Sequence, residues 1–187
     1  IGINAADVTG DAYNTFQKPG LYVGGGTYNT VYEKEKIHYR FGLFYSQKGS
    51  RKAPNPKTGD YTEYNLRLHY VEAPLQFDFL VRPGINANVG TTAGYLLSYR
   101  EADQASVINA PVKFNKFEWA GHLGAGLLLG SFTELSFGYS YSILRVRSHF
   151  SNSSWYLNRG AHNSLFFLRL TRFIVRKREI PNDVDEN

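Results

Sequence analysis

Cysteine is absent from the 187 residues, which excludes disulfide frameworks and thiol nucleophiles; no lipoprotein-type anchor on a first cysteine is expected either. Long hydrophobic runs are missing too. No stretch approaches the roughly 18 to 20 consecutive apolar residues that a transmembrane helix needs, so a helical membrane protein is excluded. No secretory leader is visible, yet the chain opens as if already inside a strand at Ile1-Gly2-Ile3-Asn4, so a processed or trimmed start is expected. Lys and Arg number 21 against 16 Asp and Glu, a formal net charge of +5, but the basic residues are spread over several segments. That distribution carries no compact nucleic-acid signature, and no nucleic-acid partner is expected. The five histidines lack metal-ligand spacing, so no metal site is expected. Gly24-Gly25-Gly26 precedes no helix and is not a phosphate loop, so it is read as a place of close strand approach or curvature, and no cofactor is expected.

What is present is aromatic: 14 Tyr and 13 Phe bring the aromatic share to 16%, while hydrophobic residues as a whole make up only 42%. Such a balance suits strands with one greasy face. The alternation is explicit at Leu135, Phe137, Tyr139, Tyr141 and Ile143, interleaved with Glu134, Ser136, Gly138, Ser140 and Ser142. Ile37, Tyr39, Phe41, Leu43 and Tyr45 alternate with His38, Arg40, Gly42 and Ser46, with Phe44 as the exception. Segments 87–99, 117–129 and 166–174 repeat the pattern, and weaker strands are expected at 1–6 and 20–30. In 64–81 the apolar set changes from even positions (Leu66, Leu68, Tyr70) to odd ones (Leu75, Phe77, Phe79, Val81). A β-bulge around Val71 to Pro74 is therefore expected, a position that also tolerates proline.

The count is eight strands, and their connections alternate in length. Glu33-Lys34-Glu35, Arg82-Pro83-Gly84 and Gly130-Ser131-Phe132 are short, whereas 7–19, 49–63, 101–115 and 147–161 are long and polar. Short periplasmic turns opposite long outer loops, on strands of roughly 9 to 11 residues or more, are the habit of outer-membrane barrels. A water-soluble barrel would present Lys and Glu on its polar face. Here that face is Gly, Ser, Thr and Asn, which suits the cramped lumen of an eight-stranded barrel and turns the apolar face toward lipid. Tyr39, Tyr45, Tyr95, Tyr99, Trp119, Tyr139 and Tyr141 are then candidates for interfacial girdles. The fold class is all-β, an eight-stranded antiparallel transmembrane up-and-down β-barrel over residues 1–175, with a C-terminal tail over 176–187.

The runs Leu66-Arg67-Leu68-His69-Tyr70-Val71-Glu72-Ala73-Pro74-Leu75, Gly94-Tyr95-Leu96-Leu97, Gly124-Ala125-Gly126-Leu127 and Phe137-Gly138-Tyr139 resemble the PorT-like outer-membrane β-barrel family. Gly2-Ile3-Asn4 and Phe44-Tyr45-Ser46-Gln47-Lys48-Gly49 add to the resemblance, which extends to Ile174. It implies a barrel in the outer membrane of a Gram-negative bacterium. It also implies kinship with accessory parts of secretion or outer-membrane assembly machines, and says little about activity.

Arg40, Arg67 and Arg169 share the predicted lumen face with Asp78, Glu118 and Glu134, with His38, His69 and His122 nearby. Charges of both signs in a narrow barrel read first as an ion-pair plug, and second as a proton or ion path. Lys48, Arg51, Lys52, Lys57 and Arg147, with Arg145, read as a basic outer rim for lipopolysaccharide phosphates, against the plainer reading of solvated loops. Ser148, His149, Ser151, His162 and Glu101 have no spacing that makes a lipase-like set, so no catalytic activity is expected. After Ile174 the alternation stops, Pro181 forbids a regular ladder, and the tail is expected in the periplasm. Its apolar residues Ile180 and Val184 are candidate contacts with a periplasmic partner. The expected function is a non-catalytic accessory or scaffolding barrel in a larger assembly; a small-solute or ion pore and a loop-based surface adhesin are the alternatives.

Overall fold

The computed structural model describes residues 1–9, 16–32, 37–59, 61, 63–103, 106–107, 113–130, 132–148 and 160–174. The turn at Glu33-Lys34-Glu35 and the tail carrying Ile180 and Val184 lie outside the described residues. Alternate apolar and small polar side chains form strands in chain order: β1 Gly2–Thr9, β2 Lys18–Tyr32, β3 Ile37–Lys52, β4 Tyr64–Arg82, β5 Ile85–Asp103, β6 Ser106–Val107, β7 Phe117–Leu128, β8 Thr133–Ser142 and β9 His162–Arg172. Each of β1 to β5 and β7 to β9 pairs antiparallel with its sequence neighbour in that set. β9 returns to β1, from Gly2↔Arg169 to Thr9↔His162, and closes the ring. β6 is a two-residue arm on the end of β5 and not part of the wall. The molecule is thus a closed, eight-stranded, antiparallel, up-and-down barrel.

Turns at one end are tight. Gly84 and Gly130, in the β4–β5 and β7–β8 turns, adopt φ of 81° and 77°, where a residue with a Cβ is disfavoured. At the other end the long connections gather, and one of them contains a 3₁₀ turn, Pro56–Thr58.

The outer face is apolar to a degree that water does not tolerate. Leu43 and Leu123 are each 63% exposed, Phe137 57% and Val89 50%, within a continuous belt. Tyr95, Phe117, Trp119 and Tyr141 ring the belt at its loop end, as interfacial aromatics do, whereas Tyr99, expected with them, pairs with the inward-facing Leu68 and packs on the buried Phe114. The inner face is built from small residues because the wall curves tightly. Gly26 pairs with Gly42, and a Cβ on Gly26 would lie 2.7 Å from the Gly42 Cα. This is the close strand approach that the triple glycine of β2 suggests in the sequence.

β4 corrects one expectation. Its even-numbered residues, from Tyr64 through Leu66, Leu68, Tyr70 and Glu72 to Asp78, all point inward without a phase change. No bulge lies at Val71 to Pro74 of that strand. The irregularity is on the neighbouring strand: His69 pairs with Ser98 but Tyr70 with Leu96, so Leu97 of β5 is the extra residue. Leu66, Leu68 and Tyr70 therefore face the lumen, while Arg67 and His69 face outward. The apolar set changes position along β4 because the lumen itself changes from polar to apolar toward the loop end.

Two outcomes follow from closure and the face assignment. The protein should be heat-modifiable, migrating differently in boiled and unboiled gels, since a closed barrel has no edge from which unfolding starts. Leu127→Arg or Phe137→Arg should cost about 2 to 4 kcal/mol of stability by reversible unfolding in bilayers, the penalty for a midplane cation facing lipid. Equal tolerance of Arg at Ser140, which is buried on the lumen side, would show the face assignment to be wrong.

Candidate functional site

Among the described residues, buried charge is concentrated in the lumen, which is filled in layers. Near the tight-turn end, Arg40 of β3 bonds through Nε to Asp78 Oδ2 of β4 at 2.6 Å. Its two terminal nitrogens reach both oxygens of Glu134 on β8, at 2.7 and 2.6 Å, a bidentate clamp across the barrel. Gln76 donates to Asp78 at 2.8 Å and Asn86 to Glu134 at 2.9 Å, so β3, β4, β5 and β8 are tied together at one level. The rings of Tyr28 and Phe173 lie 5.3 and 5.4 Å from the guanidinium carbon. One cation thus serves two buried carboxylates.

Midway, Arg169 of β9 is held by rings rather than acids. Its guanidinium carbon is 4.1 Å from the Tyr22 ring centre and 3.9 Å from that of Phe167. Tyr22 stacks on Phe44 at 4.8 Å, which explains the one aromatic on the polar face of β3. His122 meets Phe167 edge-on at 6.4 Å and lies 3.3 Å from the Thr92 hydroxyl through Nδ1. The Asn88 amide and Nε2 of His122 have no protein partner among the described residues.

Above it, Lys48 of β3 extends into the lumen, only 3% exposed, with its ammonium 2.6 Å from Glu72 Oε1 and 2.9 Å from Glu118 Oε2. The Tyr70 ring centre is 5.1 Å away. Next comes an apolar layer that includes Val8, Leu66, Leu68, Leu96, Phe114 and Val146. At its rim Arg147 pairs with Glu101 at 3.1 Å, and the Tyr64 hydroxyl donates to Glu101 at 2.8 Å.

Of the residues that the sequence pattern assigns to the lumen, Arg40, Asp78 and Glu134 meet in one cluster. Glu118 meets Lys48, and Arg169 stands between the two clusters, with no carboxylate paired to it among the described residues. Arg67 belongs elsewhere: it is exposed on the outer wall, because β4 keeps its phase. His69 is outside as well, 2.6 Å from the Tyr45 hydroxyl. Lys48 is corrected in the opposite sense. Sequence reading puts it on the rim, but β3 runs on to Lys52, so Lys48 falls at an inward position with two acids waiting. Glu72 is a lumenal residue that sequence reading misses altogether. The signal that could have found it is parity, since Glu72 shares the inward register of Asp78 once the supposed bulge is removed.

Of the remaining rim residues, Arg51, Lys52 and Lys57 stay at the loop end of β3 and in the 3₁₀ turn, whereas Arg147 turns to Glu101. Within the set weighed for catalysis, Glu101 is taken by Arg147 and Tyr64, and His162 Nδ1 lies 2.9 Å from the Ser142 carbonyl. His149 and Ser151 lie outside the described residues.

Lys48 faces two buried carboxylates, so removing it alone should be far worse than removing the whole cluster. Lys48→Met is expected to cost about 3 to 5 kcal/mol, the penalty for stranding buried charge, while the combined K48M/E72Q/E118Q should recover most of it. Urea unfolding of the refolded barrel measures both; equal losses in the two variants would mean that the cluster acts through shape and not charge.

Comparison with curated proteins found no match. A family model described as outer membrane protein beta-barrel domain matches residues 1–146, a span that runs from β1 past the end of β8. With a closed eight-stranded wall, a lipid-facing apolar belt and an ion-paired lumen, that match means that the chain belongs to the outer membrane protein beta-barrel domain family and resides in the outer membrane.

Proposed function

We propose that this barrel is a non-catalytic accessory or scaffolding subunit of a larger outer-membrane assembly, of the kind that PorT-like barrels serve in protein secretion or outer-membrane protein assembly. The carrying observation is the lumen. It is occupied in succession by the Arg40 clamp, the Arg169 ring sandwich, the Lys48 cluster and an apolar layer. Eight strands leave an interior just wide enough for side chains to fill, and here they fill it. A barrel so plugged has its outer wall, loops and tail left for work, and those are surfaces for partners. The similarity of the Leu66-to-Leu75 and Gly124-to-Leu127 runs to PorT-like sequences supports the same direction.

The reading makes the tail the periplasmic contact, with Ile180 and Val184 as its apolar anchors. A small-solute pore would instead need the ion-paired layers to part. The test is affinity purification in mild detergent, with and without residues 176–187, after insertion has been verified by heat-modifiability. The full chain should bring down a reproducible set of outer-membrane or periplasmic proteins and the truncated chain a reduced one. Undiminished recovery would remove the tail from the proposal, and recovery of no partner at all would remove the scaffold. In planar bilayers, the conductance should not exceed that of bare lipid; discrete channel openings would favour the pore.

A further inference from the structure

High on the outer wall, β3 turns Gln47 and Arg51 outward and β4 does the same with Asn65 and Arg67. Between Gln47 and Arg51 stands Gly49, at φ 136°, so the wall has no side chain there. The start of β2 borders this dent. Lys18 reaches over β3 and donates from Nζ to Asn65 Oδ1 at 2.9 Å, and the backbone N–H of Leu21 donates to Gln47 Oε1 at 3.3 Å.

The result is a pocket of about 370 Å³ lined by Lys18, Gln47, Arg51, Asn65 and Arg67, with Pro19 and Lys48 at its edge. Its volume falls in the range of ligand pockets, about 300 to 1,000 Å³. The chemistry is one-sided. Lys18 and Arg67 bring two cationic heads to it, Arg51 having an interaction of its own and the Lys48 ammonium being held in the lumen by Glu72 and Glu118, and no carboxylate is among the described lining residues. Each of the two amide oxygens already accepts one bond, and each amide also presents an NH₂ group as a donor. A lining made of donors and positive charge selects an anion, and the planar fork of Arg suits phosphate.

Depth says which anion. Two residues down the same strands sits the Tyr45–His69 pair, and below it the belt of Leu43 and Leu75. Interfacial aromatics mark the headgroup level. Arg67 lies about 7 Å farther along β4 than His69, at a strand rise of about 3.4 Å per residue, which is where the phosphates of a lipid headgroup stand. We propose that this pocket binds the phosphate of an outer-leaflet lipid headgroup, clamped by Lys18 and Arg67. It adjoins the loop rim at Arg51 and rests on the membrane location, not on the scaffold reading.

The experiment is a binding titration, read by native mass spectrometry, of the detergent-solubilised full chain with diphosphoryl lipid A. The same lipid A stripped of its phosphates and inorganic phosphate alone are the other two arms. Wild type should take up diphosphoryl lipid A, and the K18Q/R67Q double variant should bind it roughly 25-fold more weakly, a factor of about five for each cation removed. Lys113→Gln, an exposed cation away from the pocket, should match wild type. Every variant is first checked for heat-modifiability; if the double variant does not fold, Arg67→Gln alone, on an exposed position, carries the comparison with a roughly fivefold weakening. Equal affinity in wild type and variant, or equal binding of stripped lipid A, overturns the proposal. Inorganic phosphate binding as tightly as lipid A would make the ligand a soluble anion and overturn the lipid assignment.

Discussion

A wall surrounded by hydrocarbon has no water to satisfy backbone N–H and C=O groups, so every strand must find a partner on both sides. Pairing of β1 with β9 meets that requirement, and much of the rest follows from it. Closing eight strands sets a narrow bore, and a narrow bore sets the residues inside it. Gly26 against Gly42 and Gly124 against Gly138 allow the wall to bend, while Phe44 and Phe167 fill the space thereby left. The surrounding hydrocarbon in turn explains why the apolar surface is outside and the charged surface inside.

Charge in such a bore survives only when compensated. The two lumenal clusters solve the problem alike, with one cation between two carboxylates: Arg40 with Asp78 and Glu134, Lys48 with Glu72 and Glu118. Arg169 lies at the level between them, its guanidinium against two aromatic faces. Cross-strand ion pairs of this kind also hold wall segments that share no backbone bond, such as β3 and β8.

The two ends of the barrel are unlike. Toward the tight turns the lumen is polar and ends on Tyr28 and Phe173; toward the loops it becomes an apolar layer sealed by the Glu101–Arg147 pair. A barrel filled in this manner leaves its outer wall and its loop end as the accessible surfaces. There the dent at Gly49 gathers basic residues above the Tyr45–His69 pair.

Alternation along 37–45, 117–129 and 135–143 is sufficient to reveal strands, faces, membrane and strand number, because period-two patterning against lipid is a local property written residue by residue. The Arg40, Asp78 and Glu134 set is legible for the same reason, since all three stand on unambiguous polar faces. Hydrophobicity fails as a guide at Leu66, Leu68 and Tyr70. Apolar residues are admitted both by lipid and by the apolar layer inside the loop end, and only the pairing of β4 with β5, with its extra residue at Leu97, chooses between the two sides. That choice carries Arg67 outward, and the length of β3 carries Lys48 inward to Glu72 and Glu118. Which side of the wall a charge faces depends on register across strands far apart in sequence, and register is settled by the closed barrel as a whole.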